Sequence, residues 1–274
     1  MKELKPEEIQ LFIDAVAKHS GYDFSEYSIK SFTRRVQKLL VDYRTDIPGL
    51  IKKVSESSEF LESAVKNITV NTTEIFRDPG IWQVIDKKIL PAFKNELRIN
   101  IWHAGASTGQ EVYTMLILLK QHGLYEKSKV YASDINSDVL KVAESGKYKY
   151  REIDEYIDNF NKTYEKSETK YDINDYFKIS RTRNLVKVKP FLLDKVQYKV
   201  HDLTKLTNPF AVKYNMIFCR NVLIYFNHDL QNRVIKLFEN SLFTGGALII
   251  GKHEGILGDI ADKFEKHGTI YIKK

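Results

Sequence analysis

A loop with two glycines is the segment of this sequence whose residue types point most clearly to chemistry. Residues 102–111 read Trp-His-Ala-Gly-Ala-Ser-Thr-Gly-Gln-Glu and lie between a predicted strand and a predicted helix. Open α/β sheets bind ligands at the carboxyl ends of their strands, and glycine lets the backbone approach a ligand closely. Gly105 and Gly109 would therefore let a nucleoside cofactor lie against the turn. The loop lacks the middle glycine of the dinucleotide pattern Gly-x-Gly-x-x-Gly, and it also lacks the Gly-Lys-Ser/Thr ending of a P-loop.

Polar side chains also follow two other predicted strands. Asp134 comes after the segment 129–133, and a carboxylate there can accept hydrogen bonds from both hydroxyls of a ribose. Arg220 and Asn221 follow the apolar segment 215–219. Because three strand ends at one edge of a sheet would then carry polar residues, the pattern favours a single shared binding site.

Some of these residues could instead have a purely structural role. Glu111, in the first turn of the predicted helix, could stabilise that helix through its dipole or face the cationic amino group of a cofactor. Asp134 could cap the following helix, but Asn136 and Ser137 lie nearer to its start and are better placed to cap it. Cys219 is predicted to be a buried strand residue. Three histidines near strand ends are predicted to have no catalytic role, namely His103, His201 and His253.

Strands and helices alternate from residue 98 onward, which indicates a mainly parallel, doubly wound sheet of the α/β class. The predicted strands cover 99–103, 129–133, 197–201, 215–219, 247–250 and 269–272. The predicted helices in this region cover 111–121, 138–144 and 229–240. Residues 147–196 interrupt the alternation, and their β-like pieces at 176–179 and 185–188 predict an insertion or a small β-subdomain.

The first 75 residues read as helical. Apolar residues recur at helical spacing over 7–18 and over 28–44. Along the second of these helices, a lysine or arginine repeats every four residues, and this predicts an exposed basic ridge. The ridge consists of Lys30, Arg34 and Lys38, with Arg35 beside it.

The composition excludes several classes of protein. Of 274 residues, 43% are hydrophobic and 29% are charged, which is ordinary for a globular protein and excludes a disordered or fibrous chain. The single cysteine excludes an internal disulfide and a multi-cysteine zinc site. The apolar segments are too short to span a bilayer, and the first residues are too polar for a signal peptide, so we expect a cytoplasmic protein.

The formal net charge is +7, and most of the surplus lies in one segment. Residues 1–75 have a net charge of −1, whereas residues 178–199 have a net charge of +6. The basic segment could be a solvated surface or a docking surface for an acidic partner. Charge alone does not distinguish a protein partner from a nucleic acid.

Five motifs, in their order and spacing, resemble the CheR family of S-adenosylmethionine-dependent methyltransferases, which act on glutamate side chains of bacterial chemoreceptors. The first is Asn-Thr-Thr-Glu-Ile-Phe-Arg-Asp-Pro at 71–79, followed by Ala-Gly-Ala-Ser-Thr-Gly at 104–109 and Ala-Ser-Asp-Ile at 132–135. The others are Phe-Cys-Arg-Asn-Val-Leu-Ile-Tyr-Phe at 218–226 and Gly-Gly-Ala-Leu at 245–248. The similarity covers about 66–271, and the helical part before it resembles the family more weakly.

The resemblance implies a Rossmann-like class I methyltransferase domain at 76–274, an N-terminal helical domain at 1–75 and a small β-subdomain inserted within about 170–196. The cofactor would be S-adenosyl-L-methionine, with S-adenosyl-L-homocysteine as its product and no metal. Arg77 and Tyr225 would face the substrate carboxylate as the catalytic residues, Asp134 would bind the ribose, and Asp202 and Leu203 would lie near the adenine. Together with the glycine loop, the implied cofactor-binding set is Asn71, Thr73, Arg77, Gly105, Glu111, Asp134, Asp202, Leu203, Arg220 and Asn221.

The implied substrate is a glutamate of the cytoplasmic domain of a chemoreceptor or a related acidic signalling protein, without nucleic acid and without membrane insertion. A glutamate carboxylate is already ionised at pH 7, since its usual pKa is about 4.3, and therefore needs no general base. Whether the β-subdomain docks a receptor peptide stays open.

The sequence departs from the family pattern at Gln110, Val112 and Asp202 and in the Gly-Lys-His-Glu segment 251–254. These departures affect the expected substrate more than the expected cofactor. The basic charge would also suit a nucleic-acid methyltransferase, but no Asn-Pro-Pro-Tyr-type motif is present. A chain with these motifs could also be a cofactor-binding sensor or scaffold without transferase activity or, more remotely, a dehydrogenase.

Overall fold

A computed structural model describes residues 4–69 and 72–274. The strands within these residues form a main sheet of seven and a small sheet of three. In chain order they are β1 (Ile99–Ala104), β2 (Ser128–Asp134), β3 (Lys147–Lys149), β4 (Phe177–Ser180), β5 (Leu185–Val188), β6 (Val196–Val200), β7 (Tyr214–Cys219), β8 (Leu242–Ile250), β9 (Phe264–His267) and β10 (Ile270–Lys273). The main sheet has the order β6-β2-β1-β7-β8-β10-β9. Strands β6, β2, β1, β7 and β8 pair in parallel, and β10 pairs antiparallel with β8 and β9.

The α-helices of the described chain are α1 (Pro6–His19), α2 (Ile29–Asp42), α3 (Ile47–Glu56), α4 (Ser58–Ile68), α5 (Pro79–Val84), α6 (Gln110–Gln121), α7 (Ser137–Ser145), α8 (Ile153–Tyr164) and α9 (His228–Ser241). Helix α5 continues into a π-helical turn, Ile85–Ile89, and a 3-10 turn, Leu90–Phe93. The predicted α/β class is confirmed, and each predicted strand and helix with stated bounds has a counterpart within a few residues. No helix of the described ranges is both long and apolar enough to cross a membrane.

Strand β1 lies where the order of the main sheet reverses. It pairs in parallel with β2 on one side and with β7 on the other. In open α/β sheets, the ligand crevice forms at such a reversal, beyond the carboxyl ends of the strands. The loops after β1, β2 and β7, which carry the polar residues singled out in the sequence, are therefore neighbours.

Two apolar cores cover the two faces of the main sheet. Because successive strand residues point to opposite faces, Ile101 and Phe218 belong to one core, while Trp102 and Ile217 belong to the other. Every residue of β1 and β7 is buried, as expected for central parallel strands covered on both faces. The central strands thus form a rigid base for the loops at their carboxyl ends.

The N-terminal helices α1 to α4 pack around a third core, which contains Phe12, Phe32 and Leu50. This helical unit contacts the loop after β7: the Ser28 backbone N–H donates to the Tyr225 carbonyl oxygen at 2.8 Å. The helices therefore form one wall beside the carboxyl edge of the main sheet. The division into domains at residue 75 stays a prediction.

The small sheet has the antiparallel order β3-β5-β4. Strands β4 and β5 match the two predicted β-like pieces. Strand β3 lies ahead of the predicted span of about 170–196, and helix α8 lies between β3 and β4. Sequence reasoning did not assign β3 because it has three residues, two of them lysine. It did not assign α8 because polar residues outnumber the apolar ones in this helix, so the segment reads as polar.

Candidate functional site

An open crevice of about 1090 Å³ lies at the carboxyl edge of the main sheet. Its walls come from the N-terminal helices, the segment before α5 and the loops after β1, β2, β6 and β7. The predicted site residues that line it are Thr73, Arg77, Gly105, Glu111, Asp134, Asp202, Leu203, Arg220, Asn221 and Tyr225. Asn71, which was also predicted, lies outside the described residues. Residues from distant parts of the chain thus converge on one crevice, at the sheet edge where open α/β sheets bind ligands.

The loop after β1 is held in place by its neighbours. The backbone N–H groups of Gly105 and Ala106 both donate to the Ser133 carbonyl oxygen at 2.9 Å. Gly105 has a φ of +84°, and a Cβ there would lie 2.4 Å from a methyl carbon of Val222 in the loop after β7. A side chain at this position would therefore collide, and glycine is what allows the two loops to meet.

We expect Gly105→Ala to destabilise the fold and to weaken binding of S-adenosylhomocysteine. Gly123→Ala is the matched control, since Gly123 also has a positive φ of +66° but no atom within 4 Å of the added Cβ. The collision should cost about 1–3 kcal/mol beyond the backbone strain that both variants share. We expect about tenfold weaker binding for Gly105→Ala than for the control by calorimetry. Equal stability and affinity of the two variants would contradict this role of the glycine.

Asp134 is a buried carboxylate at the end of β2. It accepts hydrogen bonds from the backbone N–H groups of Ser107, at 2.8 Å, and Asn136, at 2.9 Å. Burial raises the pKa of Asp134 despite these bonds. The α7 helix is capped instead by the Asn136 side chain, which accepts from the Asp138 N–H at 3.0 Å, as the sequence predicted. A carboxylate has about four acceptor positions, so Asp134 retains capacity for donors in the crevice.

The loop after β6 contributes another wall of the crevice. Asp202 accepts a hydrogen bond from the Thr204 backbone N–H at 2.9 Å, and this bond starts a short 3-10 turn. The turn buries Leu203, which faces the crevice beside Asp202. His201 also lines the crevice, where burial lowers the pKa of its imidazole. The loop therefore offers an apolar surface next to a carboxylate.

Arg220 is the centre of a buried charge cluster. Its side chain is 2% exposed and pairs with Asp78 at 2.7 Å and with Glu111 at 3.0 Å. The same guanidinium donates to the Arg77 carbonyl oxygen at 3.1 Å and lies over the Trp82 ring, 5.7 Å from its centroid. One cation therefore ties α5, α6 and the loop after β7 together beneath the crevice.

Glu111 turns its carboxylate into this cluster. Its Oε1 pairs with His103 Nδ1 at 2.9 Å, and His103 is itself buried and stacks on Phe218. Burial alone would raise the pKa of Glu111, but the hydrogen bond with His103 and the charge of Arg220 outweigh it and hold the pKa below its usual value. His103 is thus packed in the core, and it also orients a crevice residue, a role that the sequence did not reveal.

The lowered pKa of Glu111 predicts how stability depends on pH. A carboxyl whose pKa is lower in the folded than in the unfolded protein stabilises the fold at a pH above its unfolded pKa, here 4.5. This contribution is lost as the pH falls through the pKa of the folded protein. We therefore expect Glu111→Gln to be less stable than the wild type at pH 7, with a difference that narrows below about pH 4.5. Urea unfolding of both proteins from pH 7 to pH 3 tests this, and a difference that does not change with pH would contradict it.

Arg77 and Tyr225 face the crevice from separate walls. Arg77 Nη1 donates to the Thr72 carbonyl oxygen at 3.1 Å. It forms no ion pair with Asp78, whose carboxylate oxygens pair with Arg220 and, at 3.1 Å, with Lys252. The Arg77 guanidinium is therefore not neutralised by the carboxylate next to it in the sequence.

Tyr225 ends a 3-10 turn, Leu223–Tyr225, in which Leu223 is fully buried. The Tyr225 side chain is only partly buried and lines the crevice. Its position differs from that of Phe226, which is buried and packs against the Tyr27 ring, with centroids 5.2 Å apart. Tyr225 is therefore a surface of the crevice rather than a core residue.

Sequence reasoning missed the wall formed by the N-terminal helices. Tyr27, Ser31 and Arg35 line the crevice from this side. Arg35 Nε is buried and has no hydrogen-bond partner among the described residues. The predicted basic ridge is exposed at Lys30 and Arg34. Arg35 faces the crevice instead, because it lies next to the apolar stripe of α2. This position beside the stripe is the sequence signal that could have identified Arg35 as a crevice residue.

Known proteins resemble this chain over most of its length. Residues 71–272 match the family model described as the SAM-binding domain of CheR methyltransferase. A Pseudomonas putida protein named putative methyltransferase Cher3 is 33% identical over 260 residues, which are 94% of this chain and 92% of that protein. Chemotaxis protein methyltransferases of Listeria innocua and Borreliella burgdorferi are 28% and 29% identical; they cover 90% and 92% of this chain, and 89% of each relative is matched.

Proposed function

The chain belongs to the CheR methyltransferase family, and we propose that it methylates glutamate side chains of a bacterial chemoreceptor or a related signalling protein. The products would be the glutamate methyl ester and S-adenosylhomocysteine. One observation carries the proposal: a single crevice is lined both by the buried carboxylate Asp134 and by Arg77 and Tyr225. The first suits a nucleoside, and the other two suit an anionic acceptor.

The residues of the crevice fit S-adenosylmethionine. When bound, this cofactor supplies an electrophilic methyl group on a sulfonium centre. Asp134 has acceptor capacity for ribose hydroxyls, Gly105 lets the loop after β1 pack directly against Val222, and Leu203 offers an apolar surface for a base. Glu111 also lines the crevice, but its two carboxylate oxygens are paired with Arg220 and His103. No group of three or more His, Cys, Asp and Glu residues suited to a metal occurs in the described ranges, and the expectation of a metal-free reaction stays a prediction.

The cationic wall of the crevice supports an acidic substrate. Arg77 has five N–H donors, and its one hydrogen bond among the described residues uses a donor of Nη1. Arg35 adds a second guanidinium, whose Nε has no partner there. Tyr225 adds a hydroxyl donor. These side chains would hold and orient a carboxylate, which is ionised near neutral pH and needs no residue to remove a proton.

The partner that we propose is the cytoplasmic domain of a chemoreceptor. The Listeria innocua and Borreliella burgdorferi relatives named above are called chemotaxis protein methyltransferases. The basic segment 178–199 contains β5 and all of β4 except its first residue. A receptor surface rich in glutamate would complement this charge. The segment gives the substrate a second place to contact the enzyme.

Labelled methyl transfer tests the proposed function. The protein is incubated with methyl-labelled S-adenosylmethionine and a receptor cytoplasmic domain, and in parallel with a copy whose candidate glutamates are glutamine. We expect label in the first protein only, released by mild base as a carboxyl ester is. Cofactor binding without transfer to any receptor domain would indicate a sensor or scaffold instead, and base-stable label would indicate another acceptor.

A further inference from the structure

Glu254 is a partly buried carboxylate that binds the loop after β7 from behind the crevice. Its Oε2 accepts from the backbone N–H groups of Asn221 at 3.0 Å and Gly251 at 2.5 Å. Its Oε1 accepts from the N–H groups of Val222 at 2.9 Å and Ile224 at 3.3 Å. One side chain thus satisfies four backbone donors, three of them in the loop that carries Tyr225.

The geometry around Glu254 leaves little room for change. A Cβ at Gly251 would lie 2.8 Å from Glu254 Oε2 and 3.0 Å from the Asn221 nitrogen. Close packing of the 251–254 segment on the loop therefore needs glycine at this position. No lysine or arginine of the described residues forms an ion pair with Glu254, so converging N–H groups stabilise its charge, as they do in anion-binding nests.

The loop that Glu254 holds has an unfavourable conformation. Asn221 has a φ of +61°, in the left-handed region that non-glycine residues seldom adopt. Such conformations persist where surrounding contacts enforce them, and they cluster at functional sites. Here the Asn221 N–H and the next N–H both bond to the same carboxylate. Glu254 therefore enforces the turn that brings Asn221 and Tyr225 to the crevice.

We propose that Glu254 is a positioning residue for methyl transfer, which fixes the backbone of residues 221–225 so that Tyr225 meets the acceptor carboxylate. The inference rests on the proposed function, because it assumes that the acceptor binds beside Tyr225. Glutamine cannot replace the carboxylate, since its NH2 group would face backbone donors where an acceptor is needed. The departure of the Gly-Lys-His-Glu segment from the family pattern does not affect this role, because Lys252 and His253 are both exposed.

The main test compares Glu254→Gln with Glu239→Gln, in which a buried carboxylate near the end of α9 loses its lysine partners. We expect Glu254→Gln to lower kcat by about 100-fold, because a small displacement of a reacting group has that effect. The dissociation constant of S-adenosylhomocysteine should rise by less than about tenfold, since Asp134 is untouched while Asn221 and Val222, which line the crevice, shift with the loop. Glu239→Gln should retain kcat.

A double-mutant cycle separates positioning from general destabilisation. If Glu254 acts through Tyr225, adding Glu254→Gln to Tyr225→Phe should lower kcat by less than about threefold further, whereas independent effects would multiply. Multiplying losses, or a Glu254→Gln kcat equal to that of Glu239→Gln, would overturn the proposal. A wild type that transfers no methyl would refute the proposed function, and this inference with it. If the wild type transfers methyl groups and Glu254→Gln has the same kcat, this inference is refuted and the proposed function is not.

If Glu254→Gln does not fold, the Glu254→Asp variant and amide hydrogen exchange of the wild type test the proposal instead. The shorter acid keeps the charge but cannot reach all four donors, so kcat should fall by a larger factor than the affinity for S-adenosylhomocysteine. In the wild type, the Asn221, Val222 and Ile224 amide protons should exchange slowly, as hydrogen-bonded amides do. Rapid exchange of these amides, or full activity of Glu254→Asp, would contradict the proposal.

Discussion

Arg77→Lys is expected to lower the rate of methyl transfer by about 100-fold or more, while the affinity for S-adenosylhomocysteine changes less than tenfold. Lysine keeps the positive charge but lacks the planar set of donors that can hold a carboxylate oxygen in a fixed direction. The Arg77 side chain is already oriented by its bond to the Thr72 carbonyl oxygen. Single-turnover rates and calorimetry on the variant separate transfer from cofactor binding.

Arg77 should contact one substrate oxygen and leave the attacking oxygen free. Negative charge on the carboxylate declines as the methyl group is transferred, so a grip on both oxygens would stabilise the ground state more than the transition state. Arg34→Lys is the control. It makes the same arginine-to-lysine change at an exposed position that does not line the crevice. A normal rate for Arg77→Lys, or a loss confined to cofactor affinity, would remove Arg77 from the catalytic residues.

Arg220→Met should be the most destabilising single change in the crevice, lowering the free energy of unfolding by about 3–5 kcal/mol. Removing the cation leaves the carboxylates of Asp78 and Glu111 in a largely buried place without their shared partner. Removing one partner of a buried ion pair destabilises the fold by more than the intact pair stabilises it, because the remaining charge is still desolvated. In a chain of this size we expect the melting temperature to fall by on the order of 10 °C.

Arg233→Met provides the comparison for Arg220. Arg233 pairs with Glu26, but its side chain is 45% exposed, so solvent and salt screen the interaction. We expect its melting temperature to stay close to that of the wild type. Equal stability of the Arg220 and Arg233 variants in differential scanning calorimetry would show that the buried cluster does not stabilise the fold as described.

The main sheet could be predicted well from the sequence because its central strands are largely apolar segments. The segments that become β1 and β7 are buried throughout, and each is followed by polar residues that line the crevice. Local pattern also predicted the Asn136 cap of α7 correctly. These residues could be located because each directly follows a predicted strand, whereas the pairing of β1 with β7 joins segments far apart in the chain.

What the sequence could not supply are contacts between segments far apart in the chain. The Arg220 pair with Asp78 spans 142 positions, and the Ser28 bond to Tyr225 joins the helices to the loop after β7. For Arg35 the only local signal is its place beside the apolar stripe of α2, and Glu254, which lies behind the crevice, has no local signal that distinguishes it from an ordinary loop residue. Their roles emerge only when the helical unit and the 251–254 segment pack against the loop after β7.

A crystal structure with S-adenosylhomocysteine would test the central claim most directly. The account predicts the adenosyl group in the crevice, its ribose hydroxyls bonded to Asp134 and its sulfur facing the space between Arg77 and Tyr225. A crevice without ligand at saturating concentration, or a ligand bound elsewhere with these residues free, would contradict the account.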